Sequence, residues 1–300
     1  MESGDIGNRQ SAIGNRKSET GDIGNRQSRI GNPQSEAPIG IFDSGVGGLT
    51  VFRAIERRLP NESLIYLGDT ARIPYGVRSE STVQRYALEC ANFVRFKGVK
   101  AIVIACNTAS ALAADYLRSK LSLPVMGVIR AGARRAVEAT KNGRIGVIAT
   151  EATVSNGAYE RAILEIRNGL EITSRPCPLF VPLAEEGWLD HQVTRAVAEE
   201  YLAELRNKVD TLVLGCTHYP ILRPVIEQVM GDNVTYIDSG EAVADRLAAM
   251  LESEGLVFAG ERPATEEFYV TDSASRFRRV AELFLGRPLV AVETVGLGSY

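Results

Sequence analysis

Two cysteines occupy the same local context in this chain of 300 residues. Cys106 and Cys216 each follow a short apolar run and precede two polar residues and a predicted helix. The positive end of a helix dipole is expected to lower the pKa of such a thiol from its usual value of about 8.5. Two activated thiols that face one cleft can invert a carbon centre, because one removes a proton while the other delivers a proton to the opposite face. A single base would return the proton to the face that it left.

Other interpretations of these two cysteines compete with proton transfer. A strand-end cysteine is commonly a small packed hydrophobe. A redox pair usually has C-x-x-C spacing, which the sequence lacks. Zinc bound by both thiols and His218 is a further reading, but with only two histidines and no C-x-x-C or H-x-x-x-H spacing we predict no metal site. The remaining cysteines, Cys90 and Cys177, are predicted to be structural, since Cys90 has helical spacing to apolar residues and Cys177 lies between two prolines.

The elements that must position the thiols are predicted to be buried strands that alternate with helices. The candidate strands are short apolar runs at 39–42, 64–67, 101–105, 125–129, 145–149, 211–214 and 234–237. Amphipathic stretches lie at 79–97, 108–120, 153–167, 191–206 and 240–252. Apolar strands that alternate with helices are typical of parallel sheets covered on both faces.

The spacing from Asp43 to Cys106 is nearly repeated from Thr150 to Cys216, which indicates an internal duplication. The predicted fold class is therefore α/β, with two pseudo-symmetric domains. We expect mainly parallel sheets flanked by helices, and an active site in the cleft between the domains.

Ligands of parallel sheets bind beyond the carboxyl ends of the strands. Small polar residues occupy these ends, in the segments Asp43-Ser44-Gly45, Gly68-Asp69-Thr70, Cys106-Asn107-Thr108, Thr150 with Thr153, Cys216-Thr217-His218 and Asp238-Ser239-Gly240. Their N–H and hydroxyl groups could stabilise a carbanion-like state. None of these residues is a lysine that could form a Schiff base with pyridoxal phosphate, so we predict no cofactor.

The loop Asp43-Ser44-Gly45-Val46-Gly47-Gly48 admits three interpretations. Its first two glycines fit a G-x-G-x-x-G dinucleotide motif, but Thr50 occupies the third position, and Asp69 lies near where a ribose-binding acid is expected. The glycines could instead serve a turn that needs their backbone freedom. The third interpretation fits best: N–H groups at a helix start, together with the Ser44 hydroxyl, hold a carboxylate or phosphate.

Composition excludes several classes of protein. A formal net charge of -3 gives no basic domain, so direct nucleic-acid binding is not expected. Four cysteines suit a reducing compartment rather than a disulfide scaffold. No apolar run approaches the roughly 18 residues of a membrane span, so we expect a cytoplasmic protein with no membrane partner.

Residues 1–37 differ from the rest of the chain. They repeat an Ile-Gly-Asn motif, with one isolated isoleucine in each repeat. So little apolar area cannot offset about 1–2 kcal/mol of backbone entropy per residue. The segment is therefore predicted to be a disordered extension.

From residue 38 to residue 300 the sequence closely resembles the glutamate racemases of the aspartate/glutamate racemase superfamily. Five segments in the family's order carry the resemblance: 39–50 (IGIFDSGVGGLT), 68–76 (GDTARIPYG), 105–109 (ACNTA), 181–185 (VPLAE) and 214–220 (LGCTHYP). The resemblance implies cofactor-independent interconversion of L- and D-glutamate, which supplies D-glutamate for peptidoglycan, by a homodimer. Together with the strand pattern it places one domain at 38–127 plus 240–300 and the other at 128–239.

The resemblance also implies roles for individual residues. Cys106 and Cys216 would be the acid/base pair, with Asp43 assisting Cys106, and with His218 and Glu185 assisting Cys216. The implied substrate-binding residues are Asp43, Ser44, Pro74, Tyr75, Gly76, Asn107, Thr108, Thr150, Thr153, Thr217 and His218.

Two alternatives remain open at this point. One keeps the scaffold and changes the reaction, to an aspartate or other amino-acid racemase, an isomerase or a decarboxylase. A decarboxylase of this superfamily would need only one cysteine, so the pair counts against it. The other alternative is a binding module with inert cysteines, and some family members are reported to bind DNA gyrase.

Overall fold

The computed structural model of the protein describes Met1, residues 33–289 and residues 291–298. All the elements below belong to one compact unit, within residues 31–300. Most of the extension predicted to be disordered, residues 2–32, lies outside the described residues. The prediction of disorder stays a prediction, and at the end of the segment Pro33–Glu36 form a 3-10 helix. The Ser35 carbonyl there accepts a hydrogen bond of 2.8 Å from Lys100 Nζ.

The described residues form ten strands and eleven α-helices. In chain order they are β1 (Ile39–Asp43), α1 (Leu49–Arg58), β2 (Leu64–Gly68), α2 (Glu80–Phe96), β3 (Ala101–Ile104), α3 (Asn107–Lys120), β4 (Val125–Gly127), α4 (Val128–Ala139), β5 (Arg144–Ala149), α5 (Glu151–Asn156), α6 (Ala158–Ile166), β6 (Glu171–Pro176), α7 (Phe180–Glu185), α8 (Gln192–Leu202), β7 (Thr211–Gly215), α9 (Arg223–Met230), β8 (Thr235–Asp238), α10 (Ser239–Ser253), β9 (Glu266–Val270), α11 (Ala274–Leu285) and β10 (Glu293–Thr294).

The strands form two sheets in which every neighbouring pair is parallel. One sheet has six strands in the order β10-β9-β2-β1-β3-β4, and the other has four in the order β6-β5-β7-β8. All residues of β1, β2, β3 and β7 are buried, as their apolar sequences require of strands covered on both faces. The α/β class with parallel sheets flanked by helices is thereby confirmed. The division into domains at 38–127 plus 240–300 and at 128–239 stays a prediction.

Several elements differ from the sequence-based prediction. The run 125–129 is a strand only to Gly127, because Val128 and Ile129 already belong to α4. The stretch 153–167 is split into α5 and α6 at Gly157, whose φ of 67° lies in the left-handed region. Strand β6 was not predicted, since its polar sequence and half-exposed position give no apolar run.

The cores of the two sheets are continuous on one side. Ile41 in β1, Leu214 in β7 and Val243 in α10 belong to one buried cluster. Helix α10 follows the last strand of the second sheet and packs against α1 of the first. The two sheets therefore share part of one hydrophobic core. The polar segments identified from the sequence lie at the carboxyl ends of their strands. No helix in the described part of the chain is both long and apolar enough to span a membrane.

Candidate active site

A cavity of about 520 Å³ lies where the central strands of both sheets end. Its walls include twelve of the residues named from the sequence: Ser44, Pro74, Tyr75, Gly76, Cys106, Asn107, Thr108, Thr150, Glu185, Cys216, Thr217 and His218. Two others, Asp43 and Thr153, are buried and do not line the cavity. None of the described lining residues is a lysine. The two thiols therefore share one chamber, although they come from strands of different sheets.

Cys106 caps the amino end of α3. Its sulfur accepts a hydrogen bond from the Ala109 N–H at 3.4 Å and donates to Ser44 Oγ at 3.5 Å. Burial and, to a lesser degree, the negative charge of Asp43 raise the pKa of the Cys106 thiol to about 12, although the hydrogen bonds with the Ala109 N–H and Ser44 oppose this rise. The lowered pKa expected from the helix dipole is therefore wrong for Cys106. This thiol holds its proton at neutral pH and is poised as an acid.

Asp43 lies under the cavity floor at the end of β1. Its Oδ2 accepts a hydrogen bond of 3.0 Å from the Gly45 N–H. Its Oδ1 is buried and has no hydrogen-bond partner among the described residues. Burial raises the pKa of Asp43, and the charge of His218 and nearby backbone N–H groups partly offset this. A buried carboxyl oxygen without a partner is energetically costly and is rare in folded proteins.

Cys216 faces a histidine that is itself held by a carboxylate. Nδ1 of His218 lies 3.8 Å from Cys216 Sγ, and Nε2 lies 3.0 Å from Glu185 Oε1. Burial lowers the pKa of His218, but the hydrogen bonds to Cys216 and Glu185 outweigh it and raise the pKa to about 10. For Glu185 burial has the opposite sign and raises the pKa, but His218 and Arg276 lower it more strongly, so the pKa of Glu185 lies below its ordinary value. The imidazolium and carboxylate thus stabilise each other beside the sulfur.

Three threonine hydroxyls form a cluster, of which Thr108 and Thr150 line the cavity and Thr153 lies behind them. Thr108 Oγ1 lies 3.0 Å from Thr150 Oγ1 and 3.4 Å from Thr153 Oγ1. Thr150 and Thr153 are also joined at 3.0 Å, and Thr150 caps α5. Since each hydroxyl can donate or accept, the cluster can turn its protons toward a bound anion. The cluster joins the start of α3 to the start of α5.

The loop that carries Tyr75 is anchored by Asp69. This carboxylate is fully buried and accepts hydrogen bonds from Tyr75 Oη, from Arg72 Nε at 2.7 Å and from Thr271 Oγ1 at 2.9 Å. Asp69 is therefore occupied by protein groups and does not face a ligand, which removes the ribose-binding interpretation.

The glycine-rich loop is explained by close contacts. Neither Gly47 nor Gly48 has left-handed backbone. A Cβ placed on Gly47 would lie 2.5 Å from His218 Nδ1, and a Cβ on Gly48 would lie 2.8 Å from the Tyr66 hydroxyl. The glycines are thus needed for space rather than for a special backbone conformation, and the interpretation of the loop as a turn that needs glycine dihedrals is wrong.

Some lining residues were not proposed from the sequence. They are Gly45, Ile73, Val77, Glu151, Pro178, Val181 and Pro182. Ile73, Val181 and Pro182 lie inside the segments that carried the family resemblance, so a signal for them existed. Phe284 in α11 packs its ring against His218 with centroids 5.3 Å apart, and no motif pointed to it. Cys90 and Cys177 are buried free thiols outside the cavity wall.

The parallel sheets and the paired thiols are those expected of the aspartate/glutamate racemase superfamily, and comparison with known proteins agrees. Residues 39–247 match the model of the Asp/Glu/Hydantoin racemase family, and the chain belongs to this family. The glutamate racemase of Chlorobaculum tepidum is 51% identical over 264 residues, which cover 87% of this chain and 97% of that protein. The resemblance inferred from the five segments is thereby confirmed.

Solved structures give the same result. Glutamate racemase from Francisella tularensis, crystallised with D-glutamate, superposes with a TM-score of 0.83 at 40% identity, over 89% of this chain and 100% of that one. The aspartate racemase of Picrophilus torridus shares the fold, with a TM-score of 0.51 at 22% identity, over 73% of this chain and 94% of that one.

Proposed function

We propose that the protein interconverts L- and D-glutamate without a cofactor, with Cys106 and Cys216 as the two acid/base groups. The observation that carries the proposal is that both thiols line one cavity, each with its own proton-handling neighbours. The glutamate racemases at 51% and 40% identity support glutamate as the substrate.

In the proposed reaction, one sulfur as thiolate removes the Cα proton of glutamate. The Cα–H bond breaks, an S–H bond forms, and the electron pair passes into a carbanion-like state shared with the α-carboxylate. The other thiol then gives its proton to the opposite face of Cα. Cys106 retains its proton in the free protein, so it is suited to be the donor when Cys216 acts first. On the Cys216 side, the protonated His218 would stabilise negative charge on the sulfur that removes the proton.

The proposed binding groups serve the charges of an amino acid. Hydroxyl and amide groups of Ser44, Asn107 and the threonine cluster would hold the carboxylates, and the same groups would stabilise the charge that develops at Cα. The unpartnered oxygen of Asp43 does not line the cavity, so Asp43 would act through Cys106, as an acceptor for the Cys106 proton. Pro74, Tyr75, Gly76 and Thr217 would close the remaining walls.

A biological setting is proposed on the family resemblance. The protein would act in the cytoplasm as a homodimer and would supply D-glutamate for peptidoglycan. Light scattering on the purified protein tests the dimer, and a mass equal to one chain would contradict it.

The central test is racemisation by cysteine variants. We expect Cys106→Ala and Cys216→Ala to fold but to lose turnover. Turnover is measured by the change in circular dichroism of a glutamate solution and by exchange of the Cα proton with D₂O. Cys177→Ala is the matched control, because it removes a buried thiol that does not line the cavity, and it should retain turnover. Normal racemisation by either of the first two variants would refute the proposal. Aspartate in the same assay tests the alternative substrate.

A further inference from the structure

Behind the cavity wall, Tyr159 joins the first residues of two other helices. Its hydroxyl donates a hydrogen bond of 2.7 Å to Oδ1 of Asn107, at the start of α3. The same oxygen lies 2.6 Å from Oγ of Ser239, the first residue of α10. Tyr159 itself belongs to α6 and is buried, so none of these bonds is shared with open solvent.

The directions of these hydrogen bonds follow from the chemistry of the groups. An amide oxygen can only accept, so the Tyr159 hydroxyl must use its proton toward Asn107. The Ser239 hydroxyl has two acceptors within reach, the Tyr159 oxygen at 2.6 Å and the Leu214 carbonyl at 3.4 Å, and its proton is assigned to the nearer Tyr159 oxygen. Burial raises the pKa of Tyr159 well above its usual value, which keeps the phenol protonated and therefore a donor.

This arrangement determines which half of the Asn107 amide faces the cavity. Asn107 lines the cavity, and its Oδ1 is already occupied on the side away from it. Its Nδ2 has no hydrogen-bond partner among the described residues. An amide free to rotate could present either an oxygen or an NH₂ group, and only the NH₂ group attracts a carboxylate.

Space around the tyrosine hydroxyl is also restricted. A Cβ placed on Gly132 of α4 would lie 2.9 Å from Ser239 Oγ and 3.3 Å from Tyr159 Oη. The backbone of α4 therefore closes over the two hydroxyls, and any rearrangement of the amide would have to displace packed groups.

We propose that Tyr159 is a positioning residue that locks the Asn107 amide with its NH₂ group toward a substrate carboxylate. The proposal rests on the proposed function, since it assumes that glutamate binds in this cavity. A locked donor would lower the KM for both enantiomers, because it needs no reorientation on binding. It would leave the proton-transfer step itself little changed.

The test is a double-mutant cycle read by KM and kcat for L- and D-glutamate. We expect Tyr159→Phe to raise KM about 10-fold, since a hydrogen bond to a charged group is commonly worth that much, and to change kcat by less than about threefold. In an Asn107→Ala background, Tyr159→Phe should change KM by less than about twofold. An equal effect of Tyr159→Phe in both backgrounds would overturn the proposal, as would an unchanged KM in the single variant.

Two further variants keep the test decisive. Tyr236→Phe is the control, because it also removes a hydroxyl bonded to a carbonyl, Gly231 O at 3.1 Å, but lies outside the cavity wall. Asn107→Asp replaces NH₂ by an oxygen and should weaken glutamate binding more than Asn107→Ala does, measured by calorimetry. Equal binding by these two variants would overturn the proposal even if Tyr159→Phe did not fold.

Failure of the proposed function has a different signature. A wild-type protein that neither racemises nor binds glutamate contradicts both proposals. An active wild-type protein whose KM does not respond to Tyr159→Phe contradicts only the role of Tyr159.

Discussion

Glu185 and His218 form a hydrogen bond of 3.0 Å across the wall of the cavity, on the side of the ring opposite Cys216. The carboxylate comes from the end of α7 and the imidazole from the loop after β7. Because the two partners belong to different elements, their spacing in the sequence does not predict this contact. The pair makes a protonated imidazole stable next to a thiol, and several expectations follow from it.

Glu185→Gln removes the negative charge and should lower the pKa of His218. We expect kcat to fall about 10- to 100-fold, within the range of a general acid–base group. The alkaline fall of the pH profile of kcat/KM should move to lower pH, because His218 loses its proton sooner. Glu186→Gln is the matched control, since Glu186 is the exposed neighbour in sequence. Equal profiles for wild type and Glu185→Gln would contradict the role of this carboxylate.

Stability should fall as pH rises from neutral. His218 has an ordinary pKa of 6.5 when unfolded and about 10 when folded, so the fold favours its protonated form. That contribution is fully present below pH 6.5 and is lost as pH approaches 10. Between pH 6.5 and pH 9 the loss should be about 3 kcal/mol, since each tenfold change in proton affinity corresponds to about 1.4 kcal/mol.

Urea unfolding across this pH range measures the loss. His218→Gln should show a flatter dependence on pH, because glutamine does not titrate. The measurement should stay below pH 9, the ordinary pKa of a cysteine thiol. Above pH 9 the raised pKa of Cys106 also makes the folded protein less stable as pH rises, which would add to the effect of His218. Parallel curves for wild type and variant would rule out the contribution of His218.

Gly47→Ala should damage activity more than stability. The added Cβ would lie 2.5 Å from His218 Nδ1, so the ring must move. A displacement of about 1 Å in a reacting group can cost about 100-fold in rate, and we expect a loss in kcat of that order. Gly296→Ala is the control, since a Cβ there meets no atom within 4 Å. Full activity in Gly47→Ala would show that the ring is not held where the structure places it.

Asp69→Asn should destabilise the protein and weaken substrate binding together. The change removes the fully buried partner of Arg72 and leaves it paired only with the partly exposed Glu89, so we expect a loss of about 2 kcal/mol, the size of a hydrogen bond to a charged group. It also releases Tyr75, so KM should rise. Asp115→Asn provides a direct comparison, because Asp115 pairs with Arg118 at the same sequence spacing but is exposed, and it should change stability by less than about 1 kcal/mol. Denaturant midpoints and KM for all three proteins test this, and equal midpoints for the two variants would contradict it.

The central strands and most of the site were predictable because their signals are local. Strands β1, β3 and β7 each contain an apolar run, and a polar residue or a cysteine stands at the strand end or within two residues of it. Burial on both faces of a sheet demands such runs. Strand β6 was missed because it is half exposed, so its sequence is under no such demand. The break at Gly157 was missed because one glycine in a helical pattern does not by itself end a helix.

Residue types along the chain determined which chemistry is available: two strand-end thiols, one histidine beside the second thiol, and hydroxyls at the other strand ends. Tertiary structure decided how those groups are tuned, because burial and charge act through space. The Cys106 thiol is more weakly acidic than the helix dipole alone predicts, since burial and Asp43 outweigh the backbone N–H. The imidazole is charged because the Cys216 sulfur and a carboxylate from α7 both interact with it and outweigh the effect of burial. Phe284 contacts the same ring from a helix whose sequence carries no motif.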